Sequence, residues 1–269
     1  MGCGITENNL PENIAARIAG LPYSRASIGE SGSTILLFDD MALKIERVCR
    51  SSENERALLG WLAGKLPVPR IIEAEIQDGY SYLLMSRLHG EMACSEDSLR
   101  SPEDTVRALA KGVKMLWEID ITGCPCSNGL SEKLEQAKHR VENNLAVMDE
   151  CIAERFAAQG FGGFPDAYKY LDCNRPNEDL VFSHGDYCLP NVFVSGGDVT
   201  GFLDWGGGGI ADRWQDIALC ARSLRYNCMD CAGYSEAEYQ EYRALLFREL
   251  GMEPDEEKIH YYILLDELF

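Results

Sequence analysis

One short segment of the chain carries side chains whose types and spacing suit chemistry on a hydroxyl group. In residues 183–191, SHGDYCLPN, four residues separate Asp186 from Asn191. An aspartate in such a loop can accept or orient the proton of an attacking hydroxyl, and the asparagine can reach a divalent metal ion. Asp204, 13 residues beyond Asn191, offers a second oxygen ligand. Mg²⁺ is commonly bound by one or two protein oxygens together with substrate phosphates.

A β-hairpin is the element that must position these groups. Residues 192–194 (VFV) and 199–203 (VTGFL) are β-prone, and the SGGD sequence between them favours a turn. The hairpin would bring Asn191 and Asp204 to the open ends of adjacent strands. Taken singly, Asp186 is better explained by a turn and Asp204 by a cap. Their combination favours phosphoryl transfer, because the protein-kinase catalytic loop has the same Asp-x4-Asn spacing and its DFG sequence corresponds to DWG here.

A lysine and a glutamate upstream could hold a nucleotide. Lys44 lies in the apolar run ALKI, and Glu55 shares its predicted helix face with leucines three, four and seven residues further on. An unpaired carboxylate on that face would be costly, and an ion pair with Lys44 removes the cost. The pair would aim the ammonium at nucleotide phosphates. The alternatives are a solvent-facing Lys44 and a capping box between Ser52 and Glu55.

A glycine- and serine-rich loop, residues 29–34 (GESGST), precedes the first clear strand. It does not match the P-loop pattern GxxxxGK[ST], which excludes that class of nucleotide site. Its small residues and backbone N–H groups could still cover phosphates.

The elements change character along the chain. The first 90 residues are predicted to be mostly strands with one inserted helix, and helices dominate afterwards. The later helices are predicted over residues 105–119, 131–159, 216–225, 236–250 and 256–268. This pattern predicts an α+β protein with a small β-rich lobe and a larger α-rich lobe, joined near residues 86–90.

Composition narrows the partners and the compartment. The 269 residues carry 25 Lys plus Arg against 44 Asp plus Glu, a formal net charge of −19. This charge argues against a nucleic-acid partner and suits either a cationic ligand or simple solubility. The 11 cysteines are scattered and odd in number, and no apolar run approaches the roughly 18 residues of a membrane span. We therefore expect a cytoplasmic protein with no membrane partner.

Taken together, the motifs resemble the aminoglycoside phosphotransferases, and specifically the 3′-phosphotransferase branch. The resemblance runs over most of the chain. It depends on LK (43–44), WLAGKLPVP (61–69), LLMS (83–86), the 183–191 loop, GFLDWG (201–206), ADRWQDIA (211–218) and YYILLDELF (261–269).

That resemblance implies a protein-kinase-like, two-lobe fold. It divides the chain into a nucleotide-binding lobe, residues 1–90, and a catalytic and substrate-binding lobe, residues 91–269, with a helical substrate lid at about residues 131–172. It also implies ATP or GTP with Mg²⁺, and transfer of the γ-phosphate to a hydroxyl, the 3′ one, of a cationic aminoglycoside antibiotic. We expect a monomer or weak dimer.

The resemblance also assigns roles to individual residues. The catalytic carboxylate is Asp186, the metal ligands are Asn191 and Asp204, and the nucleotide pair is Lys44 and Glu55. Ser31 lies in the phosphate-covering loop, and Ser86 to Leu88 form the adenine hinge. The substrate-binding residues are Glu154, Asp266, Glu267 and Phe269.

The carboxyl-terminal assignment has a physical basis as well. Asp266, Glu267 and an α-carboxylate at Phe269 would put three negative groups within one helical turn, where a polyamine would bind. The alternative is a frayed, solvated helix end. Ala42 stands where relatives often carry an aromatic residue for adenine stacking, which leaves the choice between ATP and GTP open.

Two other functions are compatible with these residues. The first is a related kinase for another alcohol, such as a sugar, choline or a macrolide, although acidic substrate elements favour a cationic acceptor. The second is a pseudokinase-like module that binds a nucleotide without transferring phosphate. The chain retains Lys44, Glu55, Asp186, Asn191 and Asp204, whereas such modules commonly lose one of these groups.

Overall fold

The structure, a computed structural model, describes residues 10–26 and 33–269. Ser31 lies outside the described residues. An antiparallel sheet in the order β1-β2-β3-β5-β4 forms the amino-terminal third of the chain. Its strands are β1 (Ser24–Arg25), β2 (Thr34–Leu37), β3 (Met41–Arg47), β4 (Ile71–Gln77) and β5 (Tyr80–Ser86). Asp78 and Gly79 join β4 to β5 with φ angles of 52° and 77°, which suits the tight hairpin that the sequence predicts.

Each face of this sheet is covered by a helix. On one face, helix α1 (Glu12–Ile18) buries Ile14 against Leu43 and Leu84. On the other, helix α2 (Arg50–Leu62) buries Leu58, Leu59 and Leu62. Central strand β3 is buried on both faces, so Lys44 is only 7% exposed. Helix α2, which covers this face, supplies the carboxylate of Glu55 as its ion-pair partner. The sheet thus gives the lysine a fixed place beneath a helix.

The rest of the chain is helical around two small antiparallel sheets. The strands are β6 (Glu91–Met92), β7 (Leu180–Ser183), β8 (Val192–Ser195), β9 (Asp198–Phe202) and β10 (Gly209–Asp212), paired as β6-β8-β9 and β10-β7. The helices are α3 (Glu96–Leu99), α4 (Pro102–Trp117), α5 (Leu130–Glu142), α6 (Glu150–Ala158), α7 (Phe164–Cys173), α8 (Arg213–Tyr226), α9 (Glu236–Leu250) and α10 (Glu256–Asp266). Helix α4 packs on β7, β8, β9 and α9, and α10 packs on α8.

The β8–β9 hairpin that the sequence predicts is present. Val192 pairs with Phe202, and the N–H of Leu203 donates to the carbonyl of Asn191 at 2.9 Å. Below the hairpin, the rings of Tyr187, Phe202 and Trp205 form a buried aromatic cluster. The Tyr187 hydroxyl donates to the carbonyl of Leu109 in α4 at 2.9 Å. This packing fixes the hairpin to the helical core.

The α+β organisation and the predicted helices are confirmed, and the structure adds strands β6 and β10 and the short helix α3. Helix α7 lies within the range of about residues 131–172 that is predicted to be a helical lid, and Pro165 stands in its first turn, where proline can begin a helix. Strand β10 was not predicted because it begins in four consecutive glycines, and pairing with β7 makes it a strand. The division at residue 90 stays a prediction. Within the described ranges, no helix is long and apolar enough to cross a membrane.

The aromatic cluster makes the hairpin sensitive to core substitutions. Phe202 is 0% exposed, and Phe202→Ala should lower the free energy of unfolding by about 3–5 kcal/mol, because apolar contacts are lost and a cavity remains. Urea unfolding measures the change. Val147, 78% exposed, is the control, and Val147→Ala should change stability by less than about 0.5 kcal/mol. Equal effects of both substitutions would contradict this account of the core.

Candidate active site

The loop that follows β7 is held by a buried carboxylate from helix α8. Asp216 is 0% exposed, and its oxygens accept the backbone N–H of His184 at 2.8 Å and that of Gly185 at 2.9 Å. Burial raises the pKa of Asp216, while the nearby His184 and the two N–H donors act in the opposite direction. Sequence reasoning did not single out Asp216. The sequence signal that could have identified Asp216 is an acidic residue within an apolar helical stretch.

The imidazole of His184 ties this loop to the residue before Asp204. Its Nε2 lies 2.8 Å from the carbonyl oxygen of Leu203. Because a carbonyl can only accept, Nε2 carries the hydrogen in this contact. The ring is buried and lies 4.5 Å, centroid to centroid, from Trp205. His184 is therefore a structural link, and the neighbouring Asp186 is left to face the site.

Gly185 is required by a close approach of two backbones. Its φ angle is 82°, and a Cβ at this position would overlap the carbonyl oxygen of Gly207. Any other residue would combine left-handed strain with a backbone collision. The carbonyl of Gly207 also accepts from the Asn128 side chain at 2.5 Å. Gly185 thus brings the loop that holds Asp186 against the loop that follows Asp204.

Asp186 and Asn191 are held together directly. The Asn191 Nδ2 donates to the Asp186 Oδ2 at 2.9 Å and to its main-chain carbonyl at 3.0 Å. A short 3₁₀ turn, Leu189–Asn191, brings the two residues within reach. The β8–β9 pairing places Asp204 at the same open end of the hairpin as Asn191, where the N–H of Leu203 donates to the carbonyl of Asn191. The sequence-predicted juxtaposition of these three residues is therefore present.

The predicted lysine–glutamate pair reaches the same place from the amino-terminal sheet. Lys44 Nζ lies 2.7 Å from Glu55 Oε2 and 3.6 Å from Asp204 Oδ1, and Glu46 is 3.4 Å away. Burial alone would lower the pKa of Lys44, but these carboxylates outweigh it and the net shift is upward. Burial raises the pKa of Glu55, and Lys44 opposes this change. The lysine therefore stays an ammonium ion beside Asp204.

The oxygen donors here fit a magnesium ion. They are the Asn191 amide oxygen and the Asp204 carboxylate, and the Asp204 side chain is 47% exposed and open to a ligand. Asp204 has a φ angle of 60°, a strained conformation for a residue that is not glycine, as is common at functional sites. In the part of the chain that the structure describes, no group of three or more His, Cys, Asp or Glu side chains could hold a metal. This donor set matches Mg²⁺ completed by phosphate oxygens.

Helix α2 is docked on the carboxyl-terminal part close to this point. Asn54 Nδ2 donates to the carbonyl of Gly206 at 3.4 Å, and a Cβ on Gly206 would overlap the hydroxyl of Ser51. Arg50 donates to the Ser127 carbonyl at 3.2 Å and pairs with Glu132 at 2.6 Å. The position of Glu55, and through it of Lys44, therefore depends on contacts between the two parts of the chain.

The predicted hinge residues lie at the end of β5. Ser86 pairs with Met41, and its hydroxyl accepts the backbone N–H of Arg70 at 3.0 Å. Leu88 is half-buried, and its side chain packs so closely on Gly201 that a Cβ added to this glycine would collide with it. Ala42 pairs with Met85 two residues before Lys44, so the side chain at this end of the sheet is small.

The acidic carboxyl-terminal residues are paired with cations from three helices. Asp266 lies 2.6 Å from Arg222 on α8, and Glu267 lies 2.8 Å from Arg155 on α6. Arg140 on α5 donates to the main-chain carbonyl of Phe269. The chain end is therefore anchored and not frayed. Glu154, by contrast, is exposed on α6 and next to Arg155.

Lys133 on α5 is a buried cation that sequence reasoning missed. Its side chain is 8% exposed and lies 5.5 Å above the ring of Phe269. Burial lowers its pKa, and the nearby Asp266, Asp216 and Asp186 oppose the shift. The available signal was its place beside Leu134, on the apolar face of the helix. Lys133 therefore lies between the Asp186 loop and the acidic chain end.

Comparisons with known proteins agree with this geometry. The family model described as "Phosphotransferase enzyme family" matches residues 25–254. An aminoglycoside 3′-phosphotransferase of Enterococcus faecalis is 40% identical over 245 residues, covering 90% of this chain and 87% of the relative. The chain belongs to the aminoglycoside phosphotransferase family. A second relative of the same name, from Staphylococcus aureus, is 40% identical over 251 residues, covering 92% of this chain and 90% of its own.

Solved structures of the family share the fold. The crystal structure of an aminoglycoside-3′-phosphotransferase of type VIII matches with a TM-score of 0.78 at 27% identity, covering 96% of this chain and 97% of that one. The aminoglycoside phosphotransferase APH(3″)-Id of Streptomyces rimosus matches with a TM-score of 0.79 at 22% identity, covering 95% of each chain. The predicted family and kinase-like fold are thus confirmed.

The backbone crossing at Gly185 leads to a stability prediction. Gly185→Ala should lower the free energy of unfolding by about 3 kcal/mol or more, since positive-φ strain is added to an overlap with Gly207. Gly197, with a φ angle of 80° and open space around it, is the matched control. Gly197→Ala should cost only about 1–2 kcal/mol, the cost of the strain alone. Denaturant unfolding of the two variants compares them, and equal losses would contradict the crossing.

Proposed function

We propose that this enzyme transfers the γ-phosphoryl group of ATP or GTP to the 3′-hydroxyl of a cationic aminoglycoside antibiotic and so confers resistance. One observation carries the proposal. Ion pairs join Lys44 to Glu55 and Asp204, and at the same open end of the hairpin the Asn191 amide donates to Asp186. The curated relatives that are about 40% identical carry the name aminoglycoside 3′-phosphotransferase, which supports this acceptor and this regiochemistry.

The nucleotide site lies, in this proposal, between the lobe of residues 1–90 and the lobe of residues 91–269. The Lys44 ammonium, held by Glu55, binds the α- and β-phosphates. In this proposal, Ser86 at the end of β5 and the residues that follow it as far as Leu88 border the adenine. The loop that contains Ser31 would cover the phosphates. The small side chain of Ala42 leaves room at the base, so ATP and GTP are both candidate donors.

The proposed Mg²⁺ is held by the Asn191 amide oxygen and the Asp204 carboxylate. When bound, the ion supplies positive charge that neutralises the phosphates during transfer. The chain's own contribution is to keep these oxygens in place. The Nδ2 contact with Asp186 fixes the rotation of the Asn191 amide, and Lys44 at 3.6 Å fixes one side of the Asp204 carboxylate.

Asp186 is the proposed catalytic carboxylate. It accepts a hydrogen bond from the acceptor's hydroxyl and takes its proton as the oxygen attacks phosphorus. The new oxygen–phosphorus bond forms while the bond to the leaving nucleoside diphosphate breaks. Phosphoryl transfer needs positioning and charge stabilisation more than covalent help. The Asn191 contact and the Asp216-anchored loop supply that positioning for Asp186.

The acceptor site is proposed at the acidic chain end next to Asp186. Asp266, Glu267 and Phe269 form one wall, and the helical segment of about residues 131–172, with Glu154, forms a lid. Carboxylates there suit the ammonium groups of an aminoglycoside. The formal net charge of −19 raises the local concentration of such a polycation.

The catalytic assignment is tested by Asp186→Ala. We expect turnover to fall by at least about 100-fold, because the carboxylate that orients the hydroxyl is lost, while stability changes little. Phosphate transfer to kanamycin and neomycin measures turnover, and growth of a sensitive bacterium that expresses the enzyme measures resistance. Asp198→Ala, which removes a surface carboxylate paired with Lys111, is the control. Near-normal activity of Asp186→Ala would remove the assignment.

The metal assignment is tested by Asp204→Asn. This change keeps the shape of the side chain but removes its charge, so the gain in ATP affinity on adding Mg²⁺ should shrink by about tenfold or more. Calorimetric titration of ATP with and without Mg²⁺ measures that gain. Glu75→Gln, a neutralised carboxylate on β4, should leave the gain unchanged. An undiminished Mg²⁺ effect in Asp204→Asn would place the ion elsewhere.

A further inference from the structure

The carboxylate of Glu267 is nearly buried but only half paired. Its side chain is 6% exposed, and Oε2 accepts from Arg155 at 2.8 Å. The other oxygen, Oε1, is buried and lacks a hydrogen-bond partner among the described residues. Arg222 approaches Oε1 only distantly, with its Nη1 4.0 Å away, while its Nη2 bonds Asp266 at 2.6 Å. A buried carboxylate oxygen without a donor is costly and marks a place for a cationic ligand.

Arg155 differs from the other cations around the chain end. Its side chain is 47% exposed, whereas that of Arg222 is 34% exposed. Arg222 is bound to Asp266, and Arg140 donates to main-chain carbonyls of Leu268 and Phe269. Arg155 makes its contact through a single Nη2 atom from helix α6, within the proposed lid. Of these cations, Arg155 can therefore exchange its carboxylate partner for water at the lowest cost in free energy.

We propose that Arg155 is a specificity-determining residue of the acceptor site. Its guanidinium occupies Glu267 in the ligand-free enzyme, and an acceptor ammonium must take its place. This inference rests on the proposed function, and it adds a residue of this chain that acts against tight binding. A sequence reading of the chain end as free negative groups overlooks this internal competitor.

Charge balance explains how Arg155 selects among acceptors. An acceptor ammonium at Glu267 meets a guanidinium already within 2.8 Å of the same carboxylate, so the two like charges repel unless Arg155 moves away. An acceptor that presents a hydroxyl there creates no such repulsion and can donate to Oε1 with Arg155 in place. Arg155 therefore lowers affinity for acceptors with more ammonium groups and affects those with fewer groups less.

The test compares Arg155→Ala with the wild-type enzyme on kanamycin, neomycin and paromomycin, the last of which has a hydroxyl where neomycin has one amine. Removing the competitor should lower KM and the calorimetric Kd for kanamycin and neomycin by about threefold to tenfold, with kcat within about twofold. The gain should be larger for neomycin than for paromomycin, which presents one ammonium group fewer. Arg155→Lys keeps the charge and should behave like the wild type.

The matched control is Arg175→Ala. The Arg175 side chain is 46% exposed and pairs with Asp172 at 2.5 Å, so an exposed arginine ion pair is lost without touching Glu267. We expect unchanged constants for this variant. Glu267→Gln supplies the second check, because in that background Arg155→Ala should no longer improve binding. Thermal unfolding of every variant reports folding, and Arg155→Gln replaces Arg155→Ala if the latter unfolds.

The outcomes separate the two proposals. If the wild type phosphorylates kanamycin but Arg155→Ala leaves Kd unchanged or raises it, Arg155 only stabilises the lid and the inference is wrong, while the function stands. A gain that persists in the Glu267→Gln background also overturns the inference. If the wild type phosphorylates none of the three aminoglycosides, the proposed function fails, and this inference fails with it.

Discussion

The geometry of the active site depends on one buried carboxylate. Asp216 has no contact with solvent, and its two oxygens hold consecutive backbone N–H groups at the start of the 183–191 loop. A carboxylate buried in this way is tolerated only because both oxygens are hydrogen-bonded. With the loop anchored, Asp186 faces the site and Asn191 can bind it. The same anchor brings Gly185 against Gly207, so the loop that follows Asp204 is held by the same contact.

Charge compensation is the second organising feature of the molecule. The chain is strongly acidic, but at both ends of the site the carboxylates are matched by buried or half-buried cations. Lys44 pairs with Glu55 and Asp204. At the chain end, Arg155 pairs with Glu267 and Arg222 pairs with Asp266. In the proposed function, a phosphate donor and a cationic acceptor therefore enter sites whose carboxylates are already paired with cations. A charged ligand that binds in such a site displaces one partner of an existing ion pair, and selectivity depends on which partner is displaced.

Much of this architecture is readable from the sequence, for reasons that differ between elements. The β8–β9 hairpin was predicted because alternating apolar residues and a glycine turn are local signals. The Lys44–Glu55 pair was predicted because a carboxylate on an apolar helix face needs a partner. Strand β10 was not predicted, since it is a strand only by pairing with β7. Asp216 and Lys133 leave only a weak local signal, a charged residue in an apolar helical stretch, and the partner of Arg155 is set by tertiary contact alone.

The glycine-rich crossing beneath the site restricts how the protein can evolve. Gly185, Gly206 and Gly207 lie where three segments meet with backbone and small side chains alone, so no side chain larger than hydrogen fits at Gly185 or Gly206 without displacing a neighbour. Substitution at either glycine is therefore expected to cost stability whatever its effect on the reaction, which keeps sequence change away from the point where the segments cross.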